Sequence, residues 1–182
     1  MSSISSVAGG CVVEAPKRGR SVTVAVPASL VADVPHLREK TAKIGMVGRA
    51  AAIFRVERIV VYRDLKGDQS REARLVETVL NYMATPQYLR RRLFGLMPEL
   101  RYVGVLPPLR TPNHPLAKHS GELRVGEVRE GVVVGVEGGR SLVEVGVERP
   151  VVVAGLLPVG GRVNVRVVGV GGRLEGVPVG RE

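Results

Sequence analysis

The feature that most constrains this chain is a break in composition at Gly121. Residues 1–121 hold 19 of the 27 Lys and Arg but only 9 of the 17 Asp and Glu, and so carry the whole formal charge of +10. From Glu122 onward eight Arg face eight Glu, there is no Lys, and most of the 23 glycines are found there. All six aromatic residues lie at or before Tyr102. Two stretches that differ this much do not repeat one architecture, and 182 residues leave room for two small packed units. The expected division is a tail over 1–20, an α/β half domain over 21–117 and a small all-β unit over 118–182.

In the first unit, strand and helix signals alternate. Residues 21–26, SVTVAV, form an apolar, β-branched run closed by Pro27, which predicts a buried strand. Asp33 is placed to cap a helix with Pro35 in its first turn, and Leu37, Ile44, Val47, Ala51 and Phe54 recur at helical spacing as far as Arg55. Residues 57–62 predict a second strand. Ser70 then caps a helix that buries Leu75, Val76, Val79, Leu80 and Met83, Thr85-Pro86 opens a third helix ended by Gly95, and 101–106 predict a third strand. Strands separated by helices need crossovers, so a mainly parallel sheet covered by helices is expected. Ile44-Gly-Met-Val-Gly48-Arg49 has the GxxG spacing of a KH loop. The apolar stripe stays in phase across both glycines, which favours an unbroken, closely packed helix.

Basic excess directs attention to a polyanion, with nucleic acid ahead of an acidic membrane surface. Arg38, Lys40 and Lys43 stand opposite the apolar stripe of the first helix. Arg90, Arg91 and Arg92 form the densest charge cluster and sweep about 200° of a helix, so at least one lies near the buried face. A solvated surface and phosphate contact are both open for them. Arg110 and His114 sit in a loop stiffened by four prolines, PPLRTPNHP, where a rigid connection without chemistry is the plainer alternative to a positioned contact.

From Leu123 the pattern becomes short Val-rich runs at 128–136, 141–147, 150–154, 162–170 and 173–179, with Gly138-Gly139 as a hairpin turn. Five short strands have little core unless the sheet closes, so an OB-like barrel is expected, with Gly131, Gly135 and Gly146 available for bends or bulges. Its lack of aromatic rings and its balanced charge make a spacer or docking module as good a reading as an RNA clamp.

Ordinary catalytic motifs are missing. His36, His114 and His119 have no thiolate or acidic cluster at ligand spacing, so no metal is expected. Cys11 is the single cysteine, which excludes an internal disulfide and suits a reducing compartment. No apolar run approaches the roughly 18 residues of a membrane span, and residues 1–10 are too polar for a signal peptide, so a cytoplasmic location is expected.

Several segments occur in an order that resembles a known family: VAVPASL at 24–30, GRAAAIFRVERIVVY at 48–62, NYMATPQYLRR at 81–91, YVGVLPPL at 102–109, TPNHP at 111–115 and REGVV at 129–133. Together they are similar to the SPOUT-class RNA uridine methyltransferases of archaea and eukaryotes. The resemblance implies an α/β knot with an OB-like barrel inserted into its sheet domain, a homodimer, structured RNA (rRNA or tRNA) as substrate and S-adenosylmethionine as methyl donor. It places Arg49 at the position of an arginine on the family's first helix, where a guanidinium holds a phosphate or polarises a target base; pairing with a neighbouring carboxylate is the alternative. Arg38, Lys40, Lys43, Arg90, Arg91, Arg92, Arg110 and His114 are the implied RNA contacts. In that family the chain returns from the barrel to form the knot and most of the donor pocket. Nothing up to Glu182 resembles that half, so an incomplete chain is expected and no donor-binding residue is assigned. The rival expectation is a non-catalytic RNA-binding protein associated with the ribosome, and a third is a structural interaction module.

Overall fold

The computed structural model describes residues 19–109, 111, 115 and 119–180, so Cys11, Arg110 and His114 lie outside the described residues. Strand β1 (Thr23–Pro27) leads through helix α1 (Leu37–Ile53) to β2 (Arg58–Tyr62), and the two strands pair in parallel with Val24 opposite Ile59 and Val26 opposite Val61. Helix α2 (Ser70–Ala84) and the short α3 (Gln87–Leu93) follow. Val26, Val31, Ile44, Leu75, Val76, Val79, Met83 and Leu100 form the buried core, with Ile59 and Val61 packed against it. Most of these side chains come from one face of the strands and one stripe of α1 and α2, while Val31 and Leu100 come from 3-10 turns.

Helix α1 runs unbroken through the GxxG segment. A Cβ at Gly45 would stand 2.9 Å from Leu106 Cδ2, and one at Gly48 would stand 2.9 Å from Met83 Sδ. Both glycines therefore serve close packing, as the phase of the stripe indicated.

Four local expectations are corrected. Segment 101–106 is no strand: the chain makes 3-10 turns at Pro98–Leu100 and Val103–Val105, and Leu106 packs on Gly45. Gly104 inside the run and Pro107-Pro108 after it weaken strand geometry there. Asp33 does not cap α1, because Pro35 disfavours helical angles at Val34 and helix starts only at Leu37. The Asp33 carboxylate instead accepts from Lys43 Nζ at 2.7 Å. Ser70 is the first residue of α2, Gln69 holds the cap position without a side-chain cap bond, and Asp68 Oδ1 accepts the Ser70 N–H at 3.0 Å. Phe54 leaves the apolar stripe at the helix end, where Arg55 adopts φ 51°, and is 63% exposed.

The second unit is a closed five-stranded barrel of β3 (Val128–Glu137), β4 (Arg140–Glu144), β5 (Val151–Ala154), β6 (Arg162–Gly169) and β7 (Glu175–Val179). Its order is β3-β4-β5-β7-β6, with β6 returning to β3; β5 and β7 pair in parallel and the other neighbours are antiparallel. Gly138 and Gly139 take φ of 56° and 74° in the β3–β4 hairpin, which glycine adopts without a Cβ penalty. The β3–β4 register shifts between Val133 and Gly135. Val133, Val143, Val145, Val151, Val153 and Val165 fill the interior with Leu123 and Leu174.

Helix α3 joins the two units. Tyr88 donates its hydroxyl proton to Glu130 O at 2.6 Å, and its ring lies directly on Gly146, which has φ 85°. Burial pushes the Tyr88 phenol well above its ordinary pKa, with Glu130, Glu127 and Glu144 adding to the shift and Arg129 opposing it, so it remains a donor across the physiological range. Arg92 Nε adds an ion pair to Glu144 Oε2 at 2.6 Å. Gly146→Ala is expected to drive a methyl into the ring and destabilise the fold by about 1–3 kcal/mol, against about 1 kcal/mol for Tyr88→Phe. Denaturant unfolding measures both; equal stability of Gly146→Ala and the parent would contradict this packing.

Candidate nucleic-acid interface

On α1, Arg38 and Arg49 are eleven residues apart, which is about 20° in rotation and about 16 Å along the axis. Both are exposed, and neither has an ion-pair partner among the described residues. They therefore share one face. Lys43 lies about 140° and Lys40 about 200° round from Arg38, so the basic residues of α1 do not form a single stripe. Lys43 is also engaged by Asp33, and that hydrogen bond holds the Asp33 carboxyl below its usual range.

The three consecutive arginines divide into three environments. Arg90 turns inward: Nε donates to Thr85 O at 2.9 Å and Nη2 to Met83 O at 3.2 Å, while its guanidinium lies 4.7 Å from the Tyr82 ring centroid. It thereby satisfies carbonyls at the end of α2 that have no helical donor. Arg92 reaches the barrel through Glu144. Arg91 is exposed and has no ion-pair or hydrogen-bond partner among the described residues, so it is the member of the cluster whose guanidinium is available.

A groove of about 870 Å³ opens beside this cluster. Tyr82 and Phe94 meet edge to face at 5.4 Å in its wall, Leu96 stands fully exposed at its rim, and Arg91 and Arg101 flank it. Arg101 lies 5.5 Å from the Tyr102 ring. Sequence reasoning missed this site because it assigned Arg101 to a strand, which would carry it away from α3. A second cleft of about 720 Å³, between α2 and the barrel, mixes Arg55, Glu57, Glu77, Glu130 and Arg162 and has no single sign. Three of the seven described arginines from Arg124 onward meet carboxylates: Arg129 is buried against Glu127 at 2.8 Å, Arg162 meets Glu130, and Arg173 meets Glu137.

At the carboxyl ends of β1 and β2, Ser29 donates its N–H and hydroxyl to Asp64, and Gln69 donates Nε2 to the same carboxylate while Oε1 accepts from Asp64 N and Leu65 N. The Ser29 hydroxyl holds the Asp64 carboxyl below its usual range. This edge is where a parallel sheet ordinarily receives a ligand. Here its polar groups hydrogen-bond one another, and the Asp64 carboxylate remains exposed.

The chain matches, over residues 21–179, the family described as "Putative RNA methyltransferase". The chain belongs to this family. It is 46% identical over 131 residues to an uncharacterised protein of Halobacterium salinarum, covering 71% of this chain and 45% of that one. A relative from Haloarcula marismortui, also uncharacterised, is 44% identical over 133 residues, covering 72% and 46%. The human 28S rRNA (uridine-N(3))-methyltransferase is 31% identical over 175 residues, covering 84% of this chain and 44% of the relative. The chain thus spans less than half the length of these relatives. Among the described residues no helix is long and apolar enough to cross a membrane.

Two outcomes follow from this geometry. Arg90→Ala is expected to lower unfolding stability by about 1–3 kcal/mol because buried carbonyls lose a charged donor, whereas Arg91→Ala shifts it by less than about 0.5 kcal/mol. Thermal melts compare the two, and equal melting would refute the division of roles. Depressed folded-state values for Asp33, Asp64 and Asp68 mean stability that is full above the unfolded aspartate pKa of about 3.9 and lost as pH falls through the lower folded values. The acid limb of the stability profile is expected to flatten in Asp64→Asn.

Proposed function

We propose that this chain supplies the RNA-engaging part of an RNA methyltransferase of the SPOUT class that uses S-adenosylmethionine and acts on ribosomal RNA at uridine. The observation that carries this reading is the family match, which runs through the α/β unit and the barrel in one stretch. The activity named for the human relative, on uridine of 28S rRNA, supplies the substrate class. A parallel β1–α1–β2 crossover and a five-stranded mixed barrel of order β3-β4-β5-β7-β6 support a SPOUT-like half joined to an OB-like module. A homodimer and a cytoplasmic location belong to the same proposal.

In this reading Arg38 and Arg49 stand about 16 Å apart along one helix face, a spacing that suits phosphates two or three nucleotides apart in a folded RNA. Arg49 is the candidate for the group nearest the target base, and Arg91 adds a third contact at α3. Lys40, Arg110 and His114 stay in the proposal as further contacts, while Lys43, Arg90 and Arg92 act first through Asp33, the α2 carbonyls and Glu144. S-adenosylmethionine, when bound, would supply the electrophilic methyl group; the residues described here would orient RNA toward it. The second reading is that the chain binds RNA without methyl transfer.

Calorimetry with S-adenosylmethionine, in the presence and absence of ribosomal RNA, separates the two readings. Saturable heat supports the enzyme; silence beside tight RNA binding supports the RNA-binding protein. For either, Arg38→Ala with Arg49→Ala is expected to lower the slope of log affinity against log salt by about 1.8 on a helical RNA target, taking about 0.9 for each lost phosphate contact as for duplex DNA. An unchanged slope would remove α1 from the interface.

A further inference from the structure

The groove beside α3 has a chemical character that the RNA reading does not specify by itself. Its lining side chains include Arg90, Arg91 and Arg101 but no carboxylate. Arg90 is consumed by the α2 carbonyls, so Arg91 and Arg101 are the charges that face a ligand. Guanidinium groups donate and never accept. An extended peptide would need a row of acceptors for its own N–H groups, and among the lining side chains only Gln87 carries an amide acceptor. A nucleotide needs the reverse: donors for its phosphate and an apolar surface for the two faces of its base. Phe94, Met97 and the fully exposed Leu96 provide that surface, and Tyr82 braces Phe94 edge to face. The volume, about 870 Å³, lies within the range of clefts that hold small ligands.

We propose that this groove receives one unpaired nucleotide of the RNA, its base against Phe94 and Leu96 and its flanking phosphates on Arg91 and Arg101. This rests on the RNA reading above and adds that the target is single-stranded at this point. Bases held in a duplex stack on their neighbours and cannot enter such a groove, whereas a looped or bulged base can. The aromatic platform that the barrel lacks is thereby supplied by the α/β unit.

The test is fluorescence anisotropy on the full chain with a fluorescein-labelled single-stranded RNA of mixed sequence and with the same strand made abasic, which keeps the phosphates and removes the bases. The parent protein is expected to prefer the intact strand by about tenfold, the scale of one stacked base. Leu96→Glu is expected to abolish that preference with an unchanged melting temperature, since Leu96 is fully exposed. Arg91→Ala with Arg101→Ala is expected to weaken both strands alike and lower the salt slope by about 1.4, for two single-strand phosphates. A base preference that persists in Leu96→Glu overturns the groove while leaving RNA binding intact. Loss of a dimer in Leu96→Glu, seen by sedimentation with the base preference retained, assigns the face to a second copy and also overturns it. A parent protein that binds neither strand refutes the RNA reading together with the groove.

Discussion

The contact on which the rest of the structure depends is the seat of Tyr88 on Gly146. A phenol hydroxyl directed at a strand carbonyl fixes one end of the ring, and a residue with no side chain lets the other face lie flat on the barrel. Helix α3 is only seven residues long and would be marginal in isolation. It persists because Arg90 ties it to the end of α2 while Tyr88 and Arg92 tie it to β3 and β4. The α/β unit and the barrel thus share a rigid element in place of a free tether.

That arrangement also explains why adjacent charges of the same type behave so differently. Positions 90, 91 and 92 project about 100° apart, so a helix lying between two packed bodies must send them to different surroundings. One faces the helix behind it, one faces the barrel, and one faces solvent. The groove exists because the solvent side of this short helix is followed by a segment that folds back through Pro98–Leu100, carrying Phe94, Leu96 and Arg101 beside Arg91.

Much of the fold was legible in the chain. Alternating signals located β1, β2 and the three helices, the phase of the α1 stripe decided the GxxG question, and the Val and Gly spacing gave five barrel strands and the β3–β4 turn. Local patterns carried these features because strand and helix periods are properties of the backbone. The 101–106 segment misled because its Val and Leu residues suit a strand, whereas Gly104 inside it, Pro107-Pro108 after it and the seat of Leu106 on Gly45 favour packed 3-10 turns. The Asp33 cap failed on a backbone restriction at the following Val34-Pro35 pair, and the Asp33 side chain found Lys43 ten residues away.

Charge and composition by themselves determined that the basic excess lies before Gly121 and that the second unit is a small valine-filled sheet. Which cations remain available was decided by tertiary structure alone, because availability depends on what packs within a few ångströms. Lys43, Arg90, Arg92 and Arg129 are engaged by groups distant in sequence or on another element, while Arg38, Arg49 and Arg91 are left facing outward. A sequence records that a side chain carries charge; only the fold determines whether a carbonyl, a carboxylate or solvent stands opposite it.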